Sequence, residues 1–443
     1  MPDNDMIIRG IKKMMDYNEA MQSLQLLDKF GIHLGLERIK KLLLNMGNPQ
    51  DKLKFIHIAG TNGKGSASTM IANILTAAGY RTGLFTSPYV ISFLETYKID
   101  GEMIPENEFA ECTEFVLNKA KISDVDGEYS TKFEVMTAIA FEWFYRSKCD
   151  YVCLETGMGG KEDSTNVIQA PLLQVIMSIS LDHVGVLGNN LKEIAEQKAG
   201  IIKGGTTVIY PLQDEDVFEV IEKKCNDTNG KYIIPDIKKL EHTEMTNDFV
   251  YKGGKYVKSL LGDIQVYNCI TAIEAAIQLR KLGLHISDEN ISSAVHDTVL
   301  PARTEVLSEK PFVFIDGSHN PDGAKALAQV LDKIKKKKTG RMRMIMGVLA
   351  DKDYKQIIKL IVPYASDFIA VSPNNVRALP AEMLCAQAKA YCSSACYTQD
   401  FNEAVSKAFD GLGENDAIIV CGSLYLSADM RPLLIDFLKK NRI

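Results

Sequence analysis

The chain has 443 residues, 46% hydrophobic and 24% charged, near the globular average and unlike a disordered, collagenous or coiled-coil chain. Its 51 Lys and Arg against 57 Asp and Glu leave a formal charge of -6. Proteins that live on nucleic acid usually carry a basic excess, so any phosphate chemistry is expected in a local pocket holding a small ligand.

At roughly 150 residues per domain, the length suggests about three domains or two large ones. The opening MPDNDMIIRG carries two acids and no long apolar segment, so it reads as no secretory signal. The uncharged run Ser164 to Leu181 contains Asn166, Gln169, Pro171 and Gln174, which makes a poor membrane helix; PLLQVIMSISL within it fits a strand buried on both faces. The nine cysteines form no framework. The closest pairs, Cys149/Cys153 and Cys392/Cys396, have three intervening residues, unlike the CxxC of zinc or redox sites. They read as structural thiols in a reducing cytoplasm.

In chain order, strands are predicted at Phe55–Ala59, Tyr151–Glu155, Leu173–Ile179, Thr206–Tyr210, Phe312–Asp316, Arg343–Met346, Phe368–Val371 and Ala417–Cys421. Helical patterns lie between them, at Ala67–Ala78, Thr137–Tyr145, Asn268–Leu282 and Ala324–Lys335. This alternation predicts an α/β protein with parallel sheets and crossover helices. Residues 240–262, with Gly253-Gly254 and short alternating stretches, read as a hairpin or small peripheral sheet. HDTVLPAR, His296–Arg303, marks a boundary, placing one domain at 1–298 and a second at 299–443. The run Lys335–Lys338 falls at a helix end, where lysines suit the dipole.

The most informative stretch is FIHIAGTNGKGSASTMIANIL. A β-rich run leads into Gly60-Thr61-Asn62-Gly63-Lys64-Gly65-Ser66, and a helix follows. Glycines let backbone amides wrap phosphate oxygens, and the helix N-terminus adds free N–H donors and partial positive charge. Lys64 reaches terminal phosphates, and the Ser66 hydroxyl suits Mg²⁺. The match to the standard P-loop is imperfect: Ile58 stands where the first Gly belongs, and Gly65 separates Lys64 from Ser66. The competing reading is a Gly-rich turn with a solvated lysine.

GTNGKGS resembles the phosphate loop of folylpolyglutamate synthase and dihydrofolate synthase, within the Mur ligase superfamily. The resemblance runs from about Tyr17 to Arg431. LGLERIKKLLLNMGNP, TSPYV, KFEVMTAIAFEWF, ETGMGGKEDSTNVI, SLDHVGVLG, EQKAGIIK, YNCITAIEAA, PARTEVL, DGSHNPDGA, GVLADKD and GSLYLSADMR occur in the family's order. It implies an N-terminal ATPase domain followed by a smaller Rossmann-like domain. It also implies ATP-dependent addition of L-glutamate to the γ-carboxylate of a reduced folate, or to dihydropteroate, through an acyl phosphate.

The resemblance also implies roles. Thr61, Asn62, Gly63, Lys64, Gly65 and Ser66 bind nucleotide. Ser66, Ser87, Glu155 and His183 are metal positions, joined by Lys198, whose counterpart is often carbamylated. ATP and two Mg²⁺ ions are the implied cofactors, with potassium left open. The residues themselves agree for Glu155 and His183, which close apolar runs at strand ends where ligands collect in α/β sheets. Asn268 matches a base contact, though an Asn at a helix head is also an N-cap. Arg303 matches an ATP contact, and Asp316 and His319 match catalytic residues that close over ATP; their DGSHNPDG is equally a turn sequence. Lys64, His183 and Lys198 complete the catalytic set. Phe133, Glu134, Asp163, Thr165 and Asn166 fall on the substrate side, with Phe133 equally a core residue.

Tyr89 stands where relatives usually have His, Thr96 where Arg is common, Lys161 for Arg and Glu162 for an apolar residue. All lie on the acceptor side, so the exact acceptor is open. A peptidoglycan-precursor ligase is the second enzyme reading, disfavoured by GTNGKGS, DGSHNP and GSLYL. A nucleotide-binding module without catalysis is the third, disfavoured by Lys64, Glu155, His183 and Lys198. The expected partners are reduced folate, L-glutamate and ATP, with no nucleic acid and no membrane, acting on a cytoplasmic monomer.

Overall fold

Short apolar runs pair into two mainly parallel sheets in the computed structural model, which describes residues 15–31, 33–123, 129–243, 247–338 and 340–441. The N-terminal decapeptide read above lies outside these residues. The first sheet comprises β1 (Phe55–Ala59), β2 (Thr82–Phe85), β3 (Tyr97–Ile99), β4 (Glu102–Met103), β5 (Tyr151–Glu155), β6 (Leu173–Ile176), β7 (Thr206–Ile209) and β8 (Lys231–Ile233). Their spatial order is β4-β3-β2-β5-β1-β6-β7-β8. Only the pairs β2–β3 and β3–β4 are antiparallel. The peripheral sheet expected over 240–262 is three-stranded and antiparallel: β9 (Leu240–His242), β10 (Asp248–Tyr251) and β11 (Gly254–Val257); residues 244–246 lie outside the description.

The second sheet holds β12 (Glu305–Glu309), β13 (Phe312–Ile315), β14 (Met342–Met346), β15 (Asp367–Ala370), β16 (Ala395–Tyr397) and β17 (Ala417–Cys421), in the order β12-β13-β17-β14-β15-β16. Here β12 alone runs antiparallel to its neighbour.

Both faces of the first sheet are covered, as parallel sheets require. Helices Lys64–Ala77, Asp263–Lys281 and Asp288–Asp297 bury Ile71, Ile270 and Ile291 in one cluster with Ile56 and Ile58. Helices Glu37–Met46, Glu106–Ser123 and Lys132–Arg146 bury Leu42, Phe109 and Phe141 in another with Phe55 and Phe85. Each such side chain contributes about 1.5–3 kcal/mol on leaving water. Of the nine cysteines, all unpaired, eight are buried and Cys396 is exposed. No helix among the described residues is long and apolar enough to cross a membrane.

All four expected helices begin earlier than their apolar patterns, at Lys64, Lys132, Asp263 and Pro321, and two boundary changes bear on the site. The strand predicted to Ile179 stops at Ile176, because the chain then turns onto the phosphate loop: the Ser178 carbonyl accepts from the Thr61 and Asn62 amides. The helix predicted to begin at Asn268 begins at Asp263, with Gly262 before it. Asn268 therefore sits in the second turn, and its N-cap reading fails.

The topology sets the site. β1 lies between β5 and β6, with Ile58 opposite Glu155 and Ala59 opposite Ile176. The phosphate loop after β1, Glu155 at the end of β5 and the segment to His183 after β6 thus emerge side by side. In the second sheet β13, β17 and β14 are adjacent, so DGSHNP, GSLYL and GVLADKD leave from neighbouring carboxyl ends, where open α/β sheets bind ligands.

Candidate active site

The phosphate loop wraps the start of helix Lys64–Ala77. Gly63 has φ +84, and a methyl group there would lie 2.6 Å from Asn268 Oδ1, so both its left-handed backbone and its contact demand glycine. This places buried Asn268 against the loop, with its amide nitrogen donating to Gln265 Oε1 at 3.0 Å. Thr61 is pinned by reciprocal bonds to Ser180, each 3.1 Å. Lys64 Nζ curls onto its own loop, donating to the carbonyls of Gly60 at 3.1 Å and Thr61 at 3.2 Å. Ser66 is buried in the first helical turn. A Cβ on Gly65 would sit 3.5 Å from Glu155 Oε2, so Glu155 faces the loop directly.

Glu155 is 3% exposed, and its carboxylate accepts from the Ser87 amide at 3.4 Å. Burial pushes its pKa up to about 7, against the opposing pull of Lys64 and Arg303. Lys198, also 3% exposed, donates to the Gly60 carbonyl at 2.8 Å. Burial, then Lys64, bring its pKa down to about 7, so a neutral amine is accessible at physiological pH. No group of three or more His, Cys, Asp and Glu side chains capable of holding a metal exists among the described residues. The donors here are instead one buried, sparsely bonded carboxylate, two hydroxyls and an imidazole. That set fits Mg²⁺, which commonly takes one or two carboxylates and completes its shell with water and phosphate oxygens.

A second cluster joins the halves of the molecule. Asp182, after β6, pairs with Lys352 Nζ at 2.6 Å and lies 3.9 Å from Nε2 of both His183 and His319. Burial opposes ionisation of Asp182, but Lys352, His183 and His319 together hold its carboxyl well below the usual range. His183 adopts φ +51, a left-handed conformation costly for a non-glycine residue, and burial lowers its pKa. Burial and Lys352 lower His319 to about 4. Its Nδ1 lies 3.0 Å from the Gly317 carbonyl; a carbonyl only accepts, so Nδ1 is assigned the proton and Nε2 keeps its lone pair.

Asp316 does not present a free carboxylate. One oxygen accepts from the Thr304 amide at 2.9 Å; the other accepts from the Ser318 amide at 2.9 Å and from the Ser318 hydroxyl. It organises the turn carrying His319 and anchors the bend beside Arg303, whose neighbours Ala302 and Thr304 are both left-handed. Across the cleft, the side chains of Asn62 and Asn320 exchange amide hydrogen bonds of 3.4 and 3.1 Å, tying the phosphate loop to DGSHNP.

The cavity between the halves measures about 400 Å³ and is lined by Ser87, Phe133, Glu134, Asp163 and His183 on one side and His319, Lys352, Arg377 and Tyr425 on the other. Phe133 serves both readings: its ring borders the cavity and presses on Gly157, where a methyl would lie 2.4 Å from Cζ. Glu134 is 2% exposed, paired with Arg38 at 3.0 Å and accepting from the Thr131 amide at 2.7 Å. Asp163 accepts from the Met158 amide at 2.8 Å and from Thr165; burial raises its pKa.

Thr165 and Asn166, expected on the substrate side, do not line the cavity. Thr165 is fully buried, bridging Asp163 Oδ1 at 2.5 Å and His57 Nε2 at 2.9 Å. Asn166 donates to the carbonyls of Lys161 and Gly200 at 3.1 and 3.2 Å. Both are wall-builders behind Asp163. Sequence reasoning missed Arg38, Lys352, Arg377 and Tyr425. Arg38, Lys352 and Tyr425 lie in motifs quoted for the resemblance, whereas Arg377 lies in none; their residue types alone point to no partner.

Residues 58–276 match the Mur ligase middle domain and residues 302–424 the Mur ligase, glutamate ligase domain. The chain is 34% identical over 423 residues to dihydrofolate synthase/folylpolyglutamate synthase of Bacillus subtilis, covering 92% of this chain and 96% of that one. Among solved structures, Mycobacterium tuberculosis folylpolyglutamate synthase complexed with ADP and AMPPCP superposes with a TM-score of 0.85 at 28% identity, covering 95% and 99% of the two chains. Escherichia coli FolC in complex with DHPP and ADP does so with a TM-score of 0.82 at 26% identity, covering 96% and 98%. The two matched domains, the relative aligned over nearly its whole length and the motifs gathered at neighbouring strand ends agree: this chain belongs to the dihydrofolate synthase/folylpolyglutamate synthase family of Mur-type ligases.

Proposed function

We propose that this protein is an ATP-dependent amide-forming ligase that adds L-glutamate to the γ-carboxylate of a reduced folate through an acyl phosphate, with dihydropteroate as a second acceptor. The observation that carries this is the shared cavity, in which His183 and Glu134 from one half face His319 and Lys352 from the other.

Loop amides and Lys64 would cradle the ATP phosphates. An oxygen of the acceptor carboxylate attacks the γ-phosphorus, and ADP leaves. The glutamate nitrogen then attacks the acyl carbon, its proton passing to His319 Nε2, and inorganic phosphate departs. A neutral His319, with Nδ1–H held by Gly317, supports the proton-accepting role. Arg303 and Lys64 supply fixed positive charge for the transferring phosphoryl group. Phe133 offers a flat apolar wall, and Glu134 and Asp163 offer carboxylates, for a heterocycle.

Divalent metal, when bound, would neutralise charge on phosphate and acceptor carboxylate. Ser66, Ser87, Glu155, His183 and carbamylated Lys198 would hold it, and we assign them two ions. The lowered Lys198 pKa supports carbamylation; unmodified density at Lys198 in a metal-loaded crystal would sink that assignment. Potassium remains a candidate, read by exchanging it for sodium during turnover. We further propose a division into domains 1–298 and 299–443, supported by the second sheet's start at Glu305, and a monomer, read by sedimentation of the purified protein.

Purified protein, MgATP and labelled glutamate, with tetrahydrofolate or dihydropteroate, should yield acceptor one glutamate heavier by mass. Absence of transfer to either acceptor overturns the reading.

A further inference from the structure

A second cavity, of about 130 Å³, lies away from the cleft, where β11 and the start of helix Asp263–Lys281 meet β13 and helix Pro321–Lys337. Four lysines line it, Lys258, Lys333, Lys337 and Lys338, against one acid, Glu309. Both halves of the molecule wall it. Lys333 pairs with Asp263 at 2.7 Å across the junction, and a methyl at Gly262 would lie 2.8 Å from Val330 Cγ2.

Lys258 is the unusual member. It is 3% exposed, and its ammonium donates only to the Leu260 carbonyl at 2.9 Å and Asn247 Oδ1 at 3.3 Å. Both acceptors are neutral, and an ammonium has three N–H donors. No carboxylate lies within ion-pair distance among the described residues. Burying a cation without an anion is costly, and burial indeed lowers the Lys258 pKa. Lys338 reaches only the Glu309 carbonyl at 3.3 Å and the Phe312 ring at 5.5 Å, and Lys337 has no partner among the described residues. Three of the four ammonium groups therefore lack a carboxylate, and Asp263 answers the fourth.

We propose that this cavity binds a small phosphate-type oxyanion, with Lys258 donating from the first half of the molecule and Lys337 and Lys338 from the second. The anion would complete the Lys258 hydrogen bonds and bridge the two halves outside the catalytic cleft. Inorganic phosphate and the phosphate group of a metabolite share this chemistry, and the test separates them.

Full-length protein is first saturated with ADP and Mg²⁺, so that the nucleotide loop is occupied. Inorganic phosphate in one arm and glycerol 3-phosphate in the other are then titrated calorimetrically at constant ionic strength, against chloride. Saturable binding is expected in at least one arm, weakened about tenfold or more in Lys258→Met and in Lys337→Glu. Lys337 is exposed on its helix, so its variant keeps the fold even where the buried substitution does not. Binding of phosphate alone identifies the inorganic ion, and binding of the ester identifies a metabolite's phosphate group. No saturable heat in either arm, or undiminished affinity in Lys337→Glu, overturns the proposal.

Discussion

Replacing Lys198 with methionine nearly preserves the side chain's length and removes its amine. That amine is buried and donates to the Gly60 carbonyl at 2.8 Å, with its pKa brought from the ordinary 10.5 down to about 7 by burial and Lys64. The drop corresponds to about 5 kcal/mol held against the charged form. Relaxation around a buried charge reduces the realised figure to roughly 2–4 kcal/mol, and the lost hydrogen bond returns about 1 kcal/mol. Between pH 7 and 10.5 the unfolded chain keeps a proton that the folded protein has released, so this residue makes stability rise with pH across that window. Below pH 7 both states are protonated and the penalty is full. Lys198→Met should therefore be more stable than the parent by about 1–3 kcal/mol near pH 6, with the gap closing toward pH 10, while glutamate transfer is lost. Denaturant unfolding of the metal-free protein, in buffer depleted of carbon dioxide, measures this. A variant less stable than the parent near pH 6, or a gap that does not change with pH, refutes the reasoning.

Glu155 behaves in the opposite sense. Its folded pKa of about 7 exceeds the ordinary 4.5, so without metal its contribution to stability falls as pH rises from 4.5 to 7; Glu155→Gln should flatten that slope in thermal scans. Lys64→Ala should lose turnover by about a hundredfold or more yet melt normally, because Lys64 bonds only to carbonyls of its own loop; an unfolded variant would contradict the role. Lys352→Ala strands the Asp182 carboxylate, whose partner sits 2.6 Å away with both side chains at most 10% exposed. Removal should cost about 3–5 kcal/mol in denaturant unfolding, and Asp182→Asn with Lys352→Met should recover most of it. Gly157→Ala forces a methyl to 2.4 Å from the Phe133 ring, costing about 1–3 kcal/mol and raising KM for the acceptor more than it lowers kcat; an unchanged KM would remove Phe133 from the acceptor site.

Much of the ATP side was legible in one dimension. GTNGKGS carries its reason locally, since glycines, an amide-rich turn and a helix start are contiguous, and Glu155 closes β5 as its apolar run predicts; His183, expected at a strand end, instead lies in a left-handed loop well past Ile176, where β6 stops. The acceptor side was less legible. Phe133, Asp163, Thr165 and Asn166 occupy two short motifs, yet Phe133 and Asp163 line the cavity while Thr165 and Asn166 support it from behind. Sequence spacing carries no information on which face of a wall a side chain takes. Asn268 shows the same limit: the helix began five residues earlier than its apolar pattern, because Gly262 and packing against Val330 set the start.

The order of residues alone carried the alternation of elements, the glycine-rich loop, Glu155 at the end of its strand and the membership that its motifs spell out. Only the tertiary structure brought Lys352 to Asp182, Asn320 to Asn62 and Arg38 to Glu134. These partners lie 170, 258 and 96 positions apart; the first two join segments that follow strands of different sheets, and the third joins two helices packed on one face of the first sheet. The same holds for protonation: nothing local to Lys198 or Glu155 predicts a pKa near 7, because the shift comes from water excluded by segments distant in the chain.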